Sequence, residues 1–245
     1  MSETTRNALI VSLCYRCQNN HVICEGTLKD IDIIKQVLIE KFKFEQDEIT
    51  VLKEEDATKE NFIAHMNEMI VENRKTNFVY FVGHGYSVKN TNKTNDFQEN
   101  DSGIVLWDGY MLDDELCELV ARFDKRTKNL FMFAECYSGG ALDLKFNLLV
   151  SGERERENKI RKVPSKTVLI SAVDCNQVSW VLSSGILFAK NFERVLNENE
   201  NHTFIDLIKK IRVYCPKQNC SISACFKIDN MDCLTDKKHF SWVRI

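Results

Sequence analysis

Two patterns of apolar residues alternate along the chain. Continuous runs rich in β-branched and aromatic residues occupy positions 7–14 (NALIVSLC), 48–52 (EITVL), 78–82, 129–134 (NLFMFA) and 167–172 (TVLISA), as strands buried on both faces do. Between the first runs, apolar residues recur at three- and four-residue intervals. Leu28, Ile31, Ile34, Val37, Leu38, Ile39 and Phe42 mark one such segment, and Phe62, Met66, Met69 and Ile70 the next. That spacing predicts helices covering one face of a sheet, the second opened by Asp56 or Thr58 as N-cap. Residues 103–107 read as a short strand or hairpin arm, 113–123, 186–196 and 204–213 as helices, and 220–228 as a last strand. Strands alternating with helices predict an α/β fold, a mostly parallel sheet with helices on both faces, because right-handed crossovers place a helix between parallel strands. Residues 87–101 and 151–164 are polar and poor in apolar side chains, so both read as exposed loops. The chain shows no internal repeat.

Composition narrows the class. With 245 residues, 44% hydrophobic and 28% charged, the chain is long and apolar enough for a real core, which excludes disulfide miniproteins, disordered chains and coiled coils. A net charge of -3 argues against a general affinity for phosphate backbones, so nucleic acid is not expected as a partner. No run approaches the roughly 18 apolar residues that span a bilayer, and MSETTRNALI lacks a basic segment leading into an apolar one. The expectation is a cytoplasmic chain with no membrane partner. Ten cysteines would suggest disulfides in a secreted domain, but Cys14, Cys117 and Cys225 fall in segments of buried character and read as reduced thiols. Cys14 and Cys17 form a CxxC pair, whereas Cys215 and Cys220 are spaced more widely with no nearby His, so only a distant combination supplies four zinc ligands; a structural zinc is the minority reading and no metal site is assigned.

Two of the apolar runs end in unusual residues. Residues 78–82 run into Gly83-His84-Gly85, and 129–134 into Glu135-Cys136-Tyr137-Ser138-Gly139-Gly140. Ligand sites of open parallel sheets form beyond the carboxyl ends of the strands, so two strands would deliver a His and a Cys to one crevice. A thiol nucleophile needs a base beside it and peptide N–H donors for the developing oxyanion; glycine at position 85 lets a substrate approach the backbone, and the amides of Gly85 and Cys136 are the candidate donors. Taken singly, a His between glycines is an ordinary turn residue and a Cys after an apolar strand an ordinary small hydrophobe. As a pair, with Cys136 placed 52 residues after His84, they match the spacing of about 50 between the catalytic His and Cys of caspases.

The segments FVYFVGHG (78–85) and LFMFAECYSGG (130–140) resemble the YSGHG and DxCHSG segments of metacaspases and paracaspases, caspase-like cysteine peptidases. In outline the similarity extends to GTLKDIDIIKQVL, which resembles the family pattern GCxNDAxxxxxxL, and to ISAVDCNQVSW (170–180), which resembles SAxxDxQxS, so that roughly residues 6–200 are covered. The resemblance implies a caspase-like three-layer sandwich, one peptidase domain over residues 1–245. Its large-subunit-like part is about 1–150, its charged linker 151–166 and its small-subunit-like part 167–245. It implies a cysteine endopeptidase acting on peptides or proteins through a thioester, with Cys136 as nucleophile, His84 as general base and acid, and Gly85 in the oxyanion hole.

Members that cleave after Arg or Lys carry an Asp two residues before the nucleophile, where this chain has Ala134. Asp30, at the last position of the GCxND pattern, either pairs with a basic P1 side chain or sits at an exposed helix start. Asp174 is a second candidate for the pocket or a turn cap, and Trp180 follows the segment that would wall it. Glu135 cannot stand in for Ala134, since alternation along a strand turns its side chain to the other face. Tyr137 replaces the family's usual His. No cofactor is required by the sequence. The resemblance brings in possible calcium dependence, for which Asp96, Glu99 and Asp101 offer oxygen donors or a solvated loop. It also brings in self-cleavage in the linker, which carries Arg154, Arg156, Arg161 and Lys162. The competing reading is a pseudopeptidase acting as a regulatory binding module; a thiol-dependent transamidase is a third. A catalytic thiolate is expected to have a depressed pKa.

Overall fold

The structure is a computed structural model that describes residues 6–18, 22, 24–71, 76–89, 100–149, 152–154, 163–198 and 202–227. In chain order its first half comprises β1 (Arg6–Ser12), α1 (Asp30–Glu40), β2 (Ile49–Lys53), α2 (Lys59–Val71), β3 (Thr76–Val82), β4 (Gly85–Lys89), β5 (Asn100–Leu106), β6 (Gly109–Leu112), α3 (Asp113–Val120) and β7 (Lys128–Phe133). The second half comprises β8 (Phe146–Leu149), β9 (Gly152–Arg154), β10 (Lys166–Ser171), β11 (Val181–Leu182), β12 (Gly185–Ile186), α4 (Leu187–Glu198), α5 (Phe204–Tyr214) and β13 (Ser221–Ala224). Eight strands form the main sheet in the order β2-β1-β3-β7-β10-β13-β8-β9. The first five are mutually parallel; β13, β8 and β9 add to one edge by antiparallel pairing.

The parallel strands are the apolar runs of the sequence, and parity decides what each residue meets. Ala8, Ile10, Phe78, Tyr80, Val82, Leu130, Met132, Ala134, Val168, Ile170 and Ala172 share one core, packed under α1, α4 and α5. Leu9, Val11, Leu13, Val79, Phe81, Phe131, Phe133 and Leu169 face the other core, under α2 and α3. Every residue of β3 is buried, as expected for a strand covered on both faces. Each fully buried Phe removes enough apolar surface from water to contribute roughly 1.5–3 kcal/mol. Thr58 Oγ1 accepts from Asn61 N at 3.1 Å, which selects Thr58 over Asp56 as the cap of α2.

Two stretches read as loops contain strand. Residues 87–89 belong to β4, which forms a three-stranded antiparallel side sheet with β5 and β6. Residues 152–154 pair with β8 at the sheet edge. Both are edge strands, each hydrogen-bonded to a neighbouring strand on one side only, and edge strands tolerate polar side chains, so the apolar signal fades. Residues 90–99 and 155–162 lie outside the described residues, as does the end of the expected last strand beyond position 227. No described helix is long and apolar enough to cross a membrane.

Candidate active site

After β1 the chain pairs β2 on one side of that strand and returns as β3 on the other. This reversal opens a crevice at the carboxyl ends of the strands. Residues following β1, β3, β7 and β10 meet there. His84 follows β3 and Cys136 follows β7; the two strands are adjacent, with Phe81 opposite Phe133 and Ala134 N donating to Phe81 O at 2.9 Å. The approach is close: a Cβ on residue 85 would stand 2.0 Å from the carbonyl oxygen of Cys136 and 2.8 Å from Glu135 Cγ, so glycine is required at that position.

His84 is held from several sides. Its Nε2 lies 2.7 Å from the Val22 carbonyl oxygen. A carbonyl only accepts, so Nε2 carries the hydrogen and the basic lone pair of the neutral ring is on Nδ1. The Tyr15 ring stacks on the imidazole at 4.8 Å with 23° between planes, and Cys24 Sγ is 3.6 Å from Nε2. Burial pushes the Cys24 thiol up to about 11, with smaller upward contributions from Cys14 and Cys136.

Cys136 is half-buried, and Ser179 N donates to its Sγ at 3.3 Å. The next residue, Tyr137, adopts the left-handed conformation at φ 61° and gives its N–H to Gln177 O at 2.9 Å, turning the chain sharply after the thiol. Burial raises the Cys136 pKa, with Glu135 adding to the rise and the Ser179 N–H opposing it. The thiol is therefore protonated at rest, contrary to the depressed value expected from the sequence, and its proton must be removed as it attacks. Gln177 ties the Ser179 segment down, with Nε2 donating to Lys217 O and Oε1 accepting from Asn219 N, both at 2.8 Å.

The remaining candidates separate. Asp30 is not at an exposed helix start: it is fully buried, with Oδ2 accepting from Tyr80 OH at 2.6 Å and Oδ1 from Ile186 N at 2.9 Å. Burial pushes its pKa up to about 7, partly offset by these hydrogen bonds and by Lys190. Tyr80 and Ala134 belong to the same core, so Asp30 approaches the face from which Ala134 projects. Asp174 takes the cap role: Oδ1 accepts from Cys175 N at 2.7 Å, and its carbonyl closes the turn to Gln177 N. Trp180 is 53% exposed, one residue beyond Ser179, with Val178 and Leu182 exposed beside it. Glu135 is buried, and its Oε2 accepts no hydrogen bond from the described residues. Burial holds its carboxyl well above the ordinary range.

Among the described residues no three His, Cys, Asp or Glu side chains converge as a metal site, and every described cysteine is a free thiol. Asp101 is buried on β5, with Asp113 near enough for Asp101 to raise its pKa; Asp96 and Glu99 lie outside the described residues.

A model of the metacaspase peptidase C14 domain matches residues 6–145, from the start of β1 through the turn after Cys136. The chain belongs to the metacaspase family. Its likeness to Metacaspase-1 of Schizosaccharomyces pombe is 21% identity over 238 residues, 90% of this chain and 53% of that protein. To Metacaspase-9 of Arabidopsis thaliana it is 27% over 148 residues, 56% of this chain and 45% of that one. This metacaspase thus spans about half the length of the curated relatives it matches. Its fold is that of a crystal structure from Geobacter sulfurreducens (TM-score 0.70, 17% identity, 92% of this chain and 95% of that one). It is also that of Caspase-1 from Spodoptera frugiperda (TM-score 0.59, 16% identity, 86% and 78%). Caspase-like architecture is thereby established for the metacaspase chain, which carries the α/β sheet with helices on both faces.

Several residues around His84 and Cys136 escaped the sequence reading. Tyr15 and Cys24 belong to the segment after β1, also a carboxyl end, yet have no glycine beside them to mark a turn. Val22 contributes a backbone carbonyl and Ser179 a backbone N–H, groups that every residue type shares.

Proposed function

We propose that this metacaspase domain is a cysteine endopeptidase in which Cys136 is the nucleophile and His84 the proton carrier, with a preference for Arg or Lys at P1. The observation that carries the reading is the tautomer set at His84: with Nε2 donating to Val22 O, the basic lone pair of the neutral ring is on Nδ1, and His84 follows the strand adjacent to the one that delivers Cys136. Sγ attacks the scissile carbonyl carbon while its proton passes to Nδ1. The oxyanion is met by the N–H groups of Gly85 and Cys136. As the tetrahedral species collapses, the C–N bond breaks and Nδ1–H protonates the leaving amine, giving a thioester on Cys136. Water, deprotonated by Nδ1, then attacks the thioester, and release of the new carboxyl group returns the proton to Sγ.

The basic P1 preference rests on Asp30. Its two oxygens each hold one hydrogen bond, and a carboxylate has lone pairs to spare for a guanidinium or ammonium. A desolvated acid near 7 ionises when a cation arrives, giving a charge-assisted pair in a dry setting. With Ala134 in place of the family's second acid, the pocket depends on Asp30 alone. Trp180, exposed beyond Ser179, supplies an apolar wall for the residue preceding P1, and Asp174 supports that wall through its turn. The same preference would direct cutting to the basic residues of the 151–166 linker.

A binding module without turnover is the second reading, favoured by Ala134 and by the raised thiol pKa of Cys136. A positional peptide library with Arg, Lys or Asp at P1, run on the parent and on Cys136→Ala with and without calcium, separates them. Cleavage after Arg and Lys by the parent alone is expected; equal turnover by both proteins, or none by either, would discard the peptidase. A calcium requirement would appear as parent cleavage confined to the calcium arm.

A further inference from the structure

We propose that Tyr15 is a positioning residue for His84, its hydroxyl fixing the backbone of the histidine and its ring fixing the plane of the imidazole, while Glu54 holds Tyr15 in place. The inference rests on the His84–Cys136 assignment and extends it to residues for which no role is yet assigned. Tyr15 OH donates to Val105 O at 2.7 Å and accepts from His84 N at 2.9 Å. Val105 N in turn donates to His84 O at 2.9 Å. Both main-chain polar groups of His84 are thus tied into a closed set with one phenol and the main chain of one residue, Val105. The same side chain lies against the imidazole face, at 4.8 Å and 23°. With Val22 O at Nε2, the ring has a fixed plane on one side and a fixed donor direction on the other.

Tyr15 is held in an unfavourable backbone state to do this. It has φ 63°, the left-handed region that residues with a Cβ avoid and that persists only where surrounding contacts over-determine it. Glu54 provides such contacts: its Oε2 accepts from Cys14 N and from Tyr15 N, both at 3.0 Å. Glu54 is itself left-handed, at φ 47°. Space has been cleared as well, since a Cβ on Gly83 would stand 2.6 Å from the Tyr15 hydroxyl oxygen. Burial raises the phenol pKa far above its ordinary value, so the hydroxyl keeps its proton and stays a donor to Val105 O. A tyrosine present merely to fill the core would need neither the strained backbone nor two backbone partners on its hydroxyl.

Tyr15→Phe keeps the stacking ring and removes the hydroxyl; Tyr15→Leu removes both; Glu54→Ala keeps the phenol and removes the carboxylate that holds Cys14 N and Tyr15 N. Each is assayed for kcat and KM on an Arg-P1 peptide, for the rate of Cys136 alkylation by iodoacetamide at pH 7.5, and for melting temperature. Misplacement of a catalytic group by an ångström is worth up to about a hundredfold. Tyr15→Phe is therefore expected to lose about tenfold in kcat with KM within about twofold, and Tyr15→Leu about a hundredfold, so that the ring alone rescues part of the loss. Glu54→Ala is expected to fall in the same direction as Tyr15→Phe, and alkylation of Cys136 to slow in the same order. A Tyr15→Phe protein with the parental kcat and alkylation rate, or with a kcat loss explained by its melting temperature, would overturn the proposal. Cys136→Ala in the same assay separates this failure from that of the dyad: turnover persisting there removes the dyad and the inference together. A silent Cys136→Ala beside a fully active Tyr15→Phe removes the inference alone.

Discussion

At the amino ends of β3, β7 and β10 the buried polar side chains close on one another. Asn77 Nδ2 donates to Asn129 Oδ1 at 2.8 Å, Asn129 Nδ2 to Ser165 Oγ at 3.0 Å and Thr167 Oγ1 at 3.2 Å, and the two hydroxyls pair at 2.9 Å. At the carboxyl end of the parallel sheet the polar groups stand in costly states. Tyr15 and Tyr137 have left-handed backbones, Asp30 is pushed up to about 7, and Glu135 Oε2 is buried without a hydrogen bond from the described residues. One sheet and one core thus support a side-chain hydrogen-bond network at one end and left-handed backbone with raised carboxyl pKa values at the other. Strained backbone persists only where the surrounding contacts over-determine it, and it clusters at functional sites; this end carries His84 and Cys136.

The contrast breaks if substitutions at the two ends have similar consequences. The largest effect is expected from His84→Ala, a loss of about 10²–10⁴ in peptide turnover, the range of general acid–base catalysis, with the melting temperature nearly unchanged because the side chain is half-exposed. Steady-state kinetics beside thermal melting checks this. Next is Asp30→Asn, expected to lower kcat/KM for Arg-P1 peptides at least about tenfold, as removal of one partner of a buried charge pair does, while sparing peptides with a neutral P1.

The pH dependence sharpens the second case. The folded Asp30 carboxyl titrates at about 7 against 3.8 for the free group. Between those values the folded state holds the extra proton, so this group's contribution to stability is full below about 4 and is lost as pH rises through about 7. Asp30→Asn should flatten that part of the stability curve. In the parent, the ratio of Arg-P1 to neutral-P1 cleavage should rise with pH through about 7, and in Asp30→Asn it should stay level.

At the opposite end Asn129→Ala leaves buried donors and acceptors without their partner, at about 1–3 kcal/mol of stability, read as a lower melting temperature with kcat per folded molecule unchanged. The smallest effect is expected from Glu135→Gln. The parental carboxyl is held protonated by burial, so stability declines as pH rises above the ordinary carboxylate range towards its elevated value. The amide removes that decline, so the variant matches the parent at pH below the ordinary carboxylate range and is the more stable of the two at neutral pH, with turnover little changed, which urea midpoints across a pH series beside kinetics would show.

Much of this was legible in the residues. The five parallel strands announced themselves as apolar runs because both of their faces are covered, and the glycines around His84 and Cys136 marked the two turns. Residues 87–89 and 152–154 were missed as strands because peripheral strands tolerate polar side chains. Asp30 is a different failure. A helix-start position suggested exposure, but the chain brings Ile186 N and Tyr80 onto its carboxyl from 156 and 50 residues away, and no local pattern carries that. Val22 and Ser179 act through backbone groups, which no side-chain pattern can reveal. The raised pKa of Cys136 arises first from burial, with the preceding Glu135 adding to it, and burial is visible only once the packing is known.

Which of ten thiols attacks the substrate is best read by mass. A peptidyl-arginine acyloxymethyl ketone incubated with the protein at pH 7.5 should add one label, mapped by peptide mass spectrometry to Cys136, with labelling greatly slowed in His84→Ala. A label on Cys24, whose thiol lies 3.6 Å from the imidazole Nε2, or labelling of Cys136 at the same rate without His84, would contradict the dyad.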